Sequence, residues 1–399
     1  MNGRRSLWWT IHHWLGLKLS LLMTVILLTG TLATVSNEID WLIFPAARTT
    51  PQDAPHASWG RWAEGVRSWD PKAEVLSVHA PLDPWWTAGG LVIDRAGRPV
   101  FVRVDPWTAR VTGTMPWGTA QRFFRDTHRH LMLGEQWGIF VVSAFSFLLL
   151  GSAVTGLVVY KKFWRGFLSP PRWRRGRPGE LRRWLGALHR FVAVWSVWFL
   201  LLTGLTGVWY FAEQSGLAAA PLPQPAVQTA GADPDGARLD AVVAAARRAY
   251  PDLRVRSLSF PFEGDPGVRI EGQARAILVR DRANTVFVDP FTLRPLGVVR
   301  GEQLDAHQRV SEAADPLHFG TWGGLASKLA WFVFGCGLTT LSISGAAVYA
   351  TRLKAAEAPT RRRSALRRLW DGMGPFAYVA VAVVLLGAVF LPRGMGWIS

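Results

Sequence analysis

The chain has 399 residues, 49% of them hydrophobic, with 45 Lys and Arg against 28 Asp and Glu and a net charge of +17. A lone cysteine, Cys336, excludes an internal disulfide, a cysteine-held zinc or iron–sulfur centre within this chain, and C-x-x-C-H haem attachment. The apolar residues fall into five long uncharged blocks, and a bilayer core of ~30 Å takes roughly 20 such residues as helix, so a soluble enzyme is excluded.

The first block, Leu19–Val35, follows Arg4 and Arg5, as the core of a signal peptide would. The apolar run from Leu15 to Val35 is longer than such a core and lacks an A-x-A site, so residues 7–36 are expected to remain as span 1. A polar unit follows at 37–124, then span 2 at 125–162, a basic loop at 163–183 and span 3 at 184–213. An Ala/Pro/Gln-rich linker, 214–236, leads to a second polar unit at 237–312. Span 4 (313–352), a second basic loop (353–372) and span 5 (373–392) come next. The expected fold class is a membrane all-α bundle of four core spans plus a fifth, carrying two small α+β domains. In the second domain Arg238–Tyr250 has the spacing of an amphipathic helix, and Val255–Phe260, Val268–Ile270 and Ala276–Val279 read as strands.

The charge is not spread evenly. Lys161–Arg190 carries +9, Thr351–Trp370 +6, and Arg4 with Arg5 +2, which is the whole surplus. All three pieces lie on one side of a five-span topology, and excess Lys/Arg in short loops marks the cytoplasmic face. The N-terminus is therefore expected inside and both long polar segments outside. This distribution suits orientation and anionic-lipid contact, and argues against nucleic-acid binding.

The sequence repeats itself. Ile11-His12-His13-Trp14 precedes Thr29-Gly30, and Leu188-His189-Arg190-Phe191 precedes Thr206-Gly207, with 17 residues from His12 to Thr29 and from His189 to Thr206. Asp105-Pro106-Trp107-Thr108 and Asp289-Pro290-Phe291-Thr292 have equally spaced neighbours, as do Thr155-Gly156…Tyr160 and Ser344-Gly345…Tyr349. Matches in register indicate a duplicated unit of span, external domain and span. The D-P-[WF]-T pieces read as corners between strands.

His56, His79 and His307 fall in the polar segments and read as surface residues, whereas the other six of the nine histidines fall at span starts. His12, His13 and His189 begin spans 1 and 3; His128, His130 and His318 precede spans 2 and 4. Ionisable residues beside a span are functional candidates. Equal depth pairs His12 with His189 and His128 with His318, and two facing imidazoles suit axial ligation of haem. Zinc or copper wants three or four converging ligands, whereas these come in twos. Repeated small residues such as Gly30, Gly156 and Gly345 allow a macrocycle or a helix to approach. Catalytic carboxylate pairs, a G-x-S-x-G elbow, a P-loop, H-E-x-x-H and a Rossmann fingerprint are absent, so any electron donor comes from elsewhere.

These motifs resemble those of the PepSY-associated transmembrane family, which includes haem-containing ferric-siderophore reductases of bacterial inner membranes. Ile11-His12-His13-Trp14-Leu15-Gly16-Leu17 is similar to the family's L-H-R-W-L-G-L. His128-Arg129-His130-Leu131-Met132-Leu133-Gly134 is similar to H-R-x-L-x-L-G, Leu188-His189-Arg190 to L-H-R, and Leu317-His318-Phe319-Gly320 to L-H-x-G. The resemblance implies PepSY-like periplasmic domains and a dihaem b-type reductase acting in iron acquisition. It implies haem iron held by His12 and His189 on the inner side and by His128 and His318 on the outer. His13 and His130 remain alternates: spacing favours His12 over His13, and only the motif favours His128 over His130. The implied acceptor is a ferric siderophore; the donor is open between a quinol, a cytoplasmic reductant and a partner protein. External tryptophans such as Trp59, Trp62, Trp85, Trp86 and Trp107 are candidates to stack on a bulky ligand. The rival readings are a non-enzymatic PepSY-type binding subunit and a transporter-associated one.

Overall fold

The computed structural model describes residues 3–176, 179–226, 234–261, 265–356 and 363–396. Parts of the expected linker and of both basic loops (227–233, 177–178 and 357–362) lie outside the described residues. In chain order the first helices are α1 (Gly3–Lys18), α2 (Ser20–Thr34), α3 (Ser36–Ile43) and α4 (Trp59–Trp69). Strands β1 (Glu74–His79), β2 (Ala88–Ile93), β3 (Pro99–Val104) and β4 (Val111–Pro116) follow, then α5 (Ala120–His130), α6 (Glu135–Val159) and α7 (Glu180–Ala212). The second half runs α8 (Gly236–Ala249), β5 (Arg254–Ser259), β6 (Val268–Gln273), β7 (Thr285–Val288) and β8 (Pro295–Val299). It ends with α9 (Ala306–Phe319), α10 (Gly324–Ala356), α11 (Ala365–Met373) and α12 (Pro375–Gly394).

Two compact units emerge, one helical (1–36, 124–218 and 317–394) and one built on a sheet (37–123, 219–316 and 395–399). Among the described residues four helices of the helical unit, α6, α7, α10 and α12, are long and apolar enough to cross a bilayer, and α1 with α2 makes a fifth crossing if that bent pair is counted as one. The bend between them is 66°. Span hydroxyls are satisfied by their own helix, as in Thr155 to Gly151 O at 2.7 Å, because hydrocarbon offers no other partner. Phe199, Leu200, Trp331 and Leu338 form one apolar core of the bundle, and Leu22, Ile26, Phe145 and Ala380 another.

Residues 125–162 and 313–352 each hold two helices where the sequence suggests one span. Helix α5 breaks from α6 at Leu131 and Met132, both left-handed (φ 53° and 57°). Helix α9 breaks from α10 at Gly320 (φ 69°), where the missing Cβ costs nothing. The last of the long helices, α12, covers the first of these corners: a Cβ on Gly387 would run into the Leu131 carbonyl.

The sheet unit corrects the expectation of two separate domains. Each half is a helix followed by four antiparallel strands, and the halves join into one eight-stranded sheet, β4-β3-β2-β1-β5-β6-β7-β8. The junction pairs Ser77 with Ser259, Val78 with Leu258 and His79 with Ser257. Helices α4 and α8 bury their apolar stripes against it, Trp62, Ala63 and Val66 from one, Leu239, Val242 and Ala246 from the other, over a core that includes Val78, Leu258 and Ile270. Ser58 and Asp235 cap them, accepting from Arg61 N and Arg238 N. At the D-P-[WF]-T corners Asp105 accepts from Trp107 N (3.1 Å) and Thr108 N (2.9 Å), and Asp289 from Phe291 N (2.7 Å) and Thr292 N (3.2 Å). Burial opposes ionisation of both carboxyls, yet these hydrogen bonds prevail and hold them below the usual range. Ala276–Val279 is not a strand; Ala276 and Val279 dock in a small core with Ala283.

His79, read from sequence as a surface residue, is half-buried at the β1–β5 junction with Nε2 2.8 Å from Ser77 Oγ. Burial, helped by the Arg103 charge, lowers its pKa to about 4. The unfolded chain then binds the extra proton between about pH 6.5 and 4, so stability present above that window is lost as pH falls through it. The loss approaches ~3 kcal/mol. Hydrogen exchange across β1 should quicken from pH 6.5 to 4 in the native chain once corrected for intrinsic rates. His79→Gln should flatten that dependence.

Candidate functional site

The helical unit brings the span-start histidines together in two pairs. The rings of His12 (α1) and His189 (α7) lie 6.4 Å apart between centroids, inclined at 75°. Those of His128 (α5) and His318 (α9) lie 5.9 Å apart, inclined at 32°. Adjacent helical positions point ~100° apart, so His12 and His13 cannot both face α7. His13 instead meets the Tyr349 ring at 5.0 Å. His130 turns toward Asp126, with Nε2 3.8 Å from a carboxylate oxygen, and its buried Nδ1 has no hydrogen-bond partner among the described residues. Of the two alternates, neither is paired with a second histidine.

Each paired ring is oriented through Nδ1. His12 Nδ1 lies 2.9 Å from Thr155 Oγ1, His189 Nδ1 3.0 Å from Ser344 Oγ, and His318 Nδ1 2.7 Å from Thr206 Oγ1. Each hydroxyl already gives its single proton to a carbonyl of its own helix: Thr155 to Gly151 O (2.7 Å), Ser344 to Leu341 O (3.3 Å) and Thr206 to Leu202 O (2.9 Å). Where the hydroxyl proton goes to the helix carbonyl, the hydroxyl accepts from the ring and the imidazole donates from Nδ1. His128 reaches the same state by donating from Nδ1 to Ile26 O at 2.8 Å. A proton so held at Nδ1 leaves the lone pair on Nε2, the arrangement that second-shell partners of metal-bound histidines enforce.

Close backbone approach completes both pairs. A Cβ on Gly156 or Gly345 would lie 3.4 Å from Cε1 of His12 or His189, in ordinary contact. A Cβ on Gly30 would stand only 2.6 Å from Cε1 and Nδ1 of His128. Other span glycines serve helix packing, such as Gly207 against Ser146 and Gly335 against Thr31.

A haem fits this donor set. Each pair offers two facing imidazoles, with ring centroids 6.4 Å and 5.9 Å apart, the number and kind of protein donors a haem iron would take. Among the described residues no group of three His, Cys, Asp or Glu converges as a metal set, and a porphyrin supplies its own equatorial nitrogens. Along α7, His189 and Thr206 are 17 positions apart, so the pairs are separated by about 25 Å of helix.

The hydroxyls of Thr155, Ser344 and Thr206 were visible in the sequence only as repeat markers beside glycine. Their role needed the packing of α6, α7 and α10. Of the candidate stacking tryptophans, Trp59, Trp62 and Trp86 are buried in cores; Trp85 and Trp107 keep accessible surface.

The family described as the PepSY-associated TM region matches residues 9–352, a stretch that contains all four paired histidines. The uncharacterized protein PA4219 of Pseudomonas aeruginosa is 28% identical over 297 residues, covering 67% of this chain and 72% of that protein. This multi-helix chain belongs to the PepSY-associated transmembrane family.

Proposed function

We propose that the chain is an inner-membrane b-type dihaem reductase that passes electrons from a donor on the cytoplasmic side to a ferric chelate, a siderophore complex, on the periplasmic side. The observation that carries this reading is the set of four imidazoles in two facing pairs, each anchored through Nδ1. Bound there, haem supplies one-electron exchange, so each ferric ion takes one electron and a quinol donor would serve two ferric ions. Thr155 and Ser344 hold the inner rings, and Ile26 O and Thr206 the outer. Phe199, Trp331 and Leu338 exclude water from part of the bundle. The donor is a quinol, a cytoplasmic reductant or a partner protein. The internal duplication noted in the sequence accounts for two sites, and the sheet unit is the periplasmic PepSY-like part.

Purification after haem-supplemented expression tests the reading. A red protein with a low-spin bis-histidine spectrum and two haems per chain is expected; a colourless one overturns it and favours a non-enzymatic subunit.

Orientation is tested separately in a Cys336→Ser background. A cysteine at Arg172 should resist an impermeant maleimide in intact spheroplasts, while one at exposed Ala96 should react. Labelling at Arg172 would reverse the membrane sides of both sites.

A further inference from the structure

Helices α4 and α8, with the loops at 51–58 and 80–84, frame an open cleft of about 1260 Å³ in the sheet unit. One part of its lining is aromatic. The His56 ring lies 5.2 Å from Trp107 and 6.0 Å from Trp62. Both indole N–H groups donate to backbone carbonyls, Trp62 to Pro106 O at 3.0 Å and Trp107 to Ala54 O at 2.9 Å. The indoles are thus fixed in orientation, while Trp107 keeps accessible ring surface and His56 is exposed.

Arg247, Arg248 and Arg256 also line the cleft, and all three are exposed. None of their guanidinium groups has an ion pair or hydrogen bond among the described residues. The carboxylates on the lining are Asp83 and Asp240, and Asp240 already accepts from Ser58 Oγ (2.6 Å) and Gly60 N (2.8 Å). Three cations without partners therefore share a cleft with a fixed aromatic wall. Guanidinium forks match paired anionic oxygens, and aromatic faces match flat rings.

We propose that this cleft binds an anionic aryl ligand, with rings against Trp107 and His56 and oxygens on the arginines. Resting on the reductase reading, this makes the preferred substrate a negatively charged catecholate- or phenolate-type ferric chelate, not a neutral hydroxamate one.

Isothermal titration of the detergent-purified full chain tests this with ferric tris-catecholate (net −3) against neutral ferric tris-acetohydroxamate at fixed ionic strength. The trianion should bind at least tenfold more tightly. Combining Arg247→Gln, Arg248→Gln and Arg256→Gln should erase that preference, and Trp107→Leu should weaken trianion binding severalfold, with thermal melting unchanged in both variants. Equal affinity for the two chelates, or full preference in the triple arginine variant, overturns the proposal. Optical spectra of the same samples separate the two ideas. Colourless protein that keeps the preference overturns the reductase reading alone, and haem-loaded protein without it overturns the cleft alone.

Discussion

His12→Ala and His189→Ala are each expected to remove the same haem, and the double replacement to cost little more than either alone. His128→Ala and His318→Ala should remove the other. On the proposed dihaem reading the two facing rings of a pair, 6.4 Å or 5.9 Å apart, would hold one iron between them, so losing either would leave it weakly held. Effects of two ligands in one site are strongly non-additive, whereas ligands about 25 Å apart along α7 should add. His13→Ala, His56→Ala and His307→Ala should leave two haems per chain. Haem content by pyridine haemochrome and difference spectra of the single variants decide it. Loss of one spectral component from both His12→Ala and His318→Ala would break the pairing. Loss of the second haem from His130→Ala in place of His128→Ala would refute the ligand assignment alone.

Gly30→Ala should empty the His128–His318 site while sparing His12–His189. One methyl at this position would stand 2.6 Å from two atoms of the His128 ring, nearer than unbonded carbon atoms approach. To relieve it the ring must leave Ile26 O, which anchors its Nδ1, or α5 must move away from α2. Overpacking of this kind costs ~1–3 kcal/mol, and if that cost falls on the site it is about a fivefold to 150-fold loss of affinity there. Gly156→Ala provides the control, because its methyl would meet His12 at 3.4 Å, an ordinary contact. Full occupancy of both sites in Gly30→Ala would show that His128 does not need the position it holds against α2.

The spans, the charge asymmetry and the His12–His189 pairing were legible because each rests on local sequence: uncharged runs, Lys/Arg clusters and a 17-residue spacing used twice. The amphipathic helix near Arg238–Tyr250 and the Asp-Pro corners were legible for the same reason. What stayed hidden depends on distant packing. The bend at Leu19 and the left-handed Leu131 and Met132 fall on apolar residues, not on Gly or Pro; the latter corner lies under Gly387, more than 250 positions away. The β1–β5 junction that fuses the two halves joins residues about 180 positions apart through three pairs, too few to leave a pattern in either strand. His79 looked like a surface residue because its burial comes from that junction.

The break in span 1 has a consequence for the bilayer itself. Helix α2 has 15 residues and rises about 22 Å, short of a hydrocarbon core of ~30 Å. If α2 stands along the membrane normal, Leu7–Lys18, inclined at 66° to it, adds only about 7 Å of height. Span 1 therefore crosses with no slack, whereas α7, at 33 residues, has ample length. Straightening at Leu19 would suit a thicker bilayer and further bending a thinner one, since kinking is one way a helix meets hydrophobic mismatch. His12 lies on one side of that hinge, and Ile26 and Gly30, which seat His128, on the other. Any change of that bend with lipid acyl length would reach both histidine pairs through one shared joint.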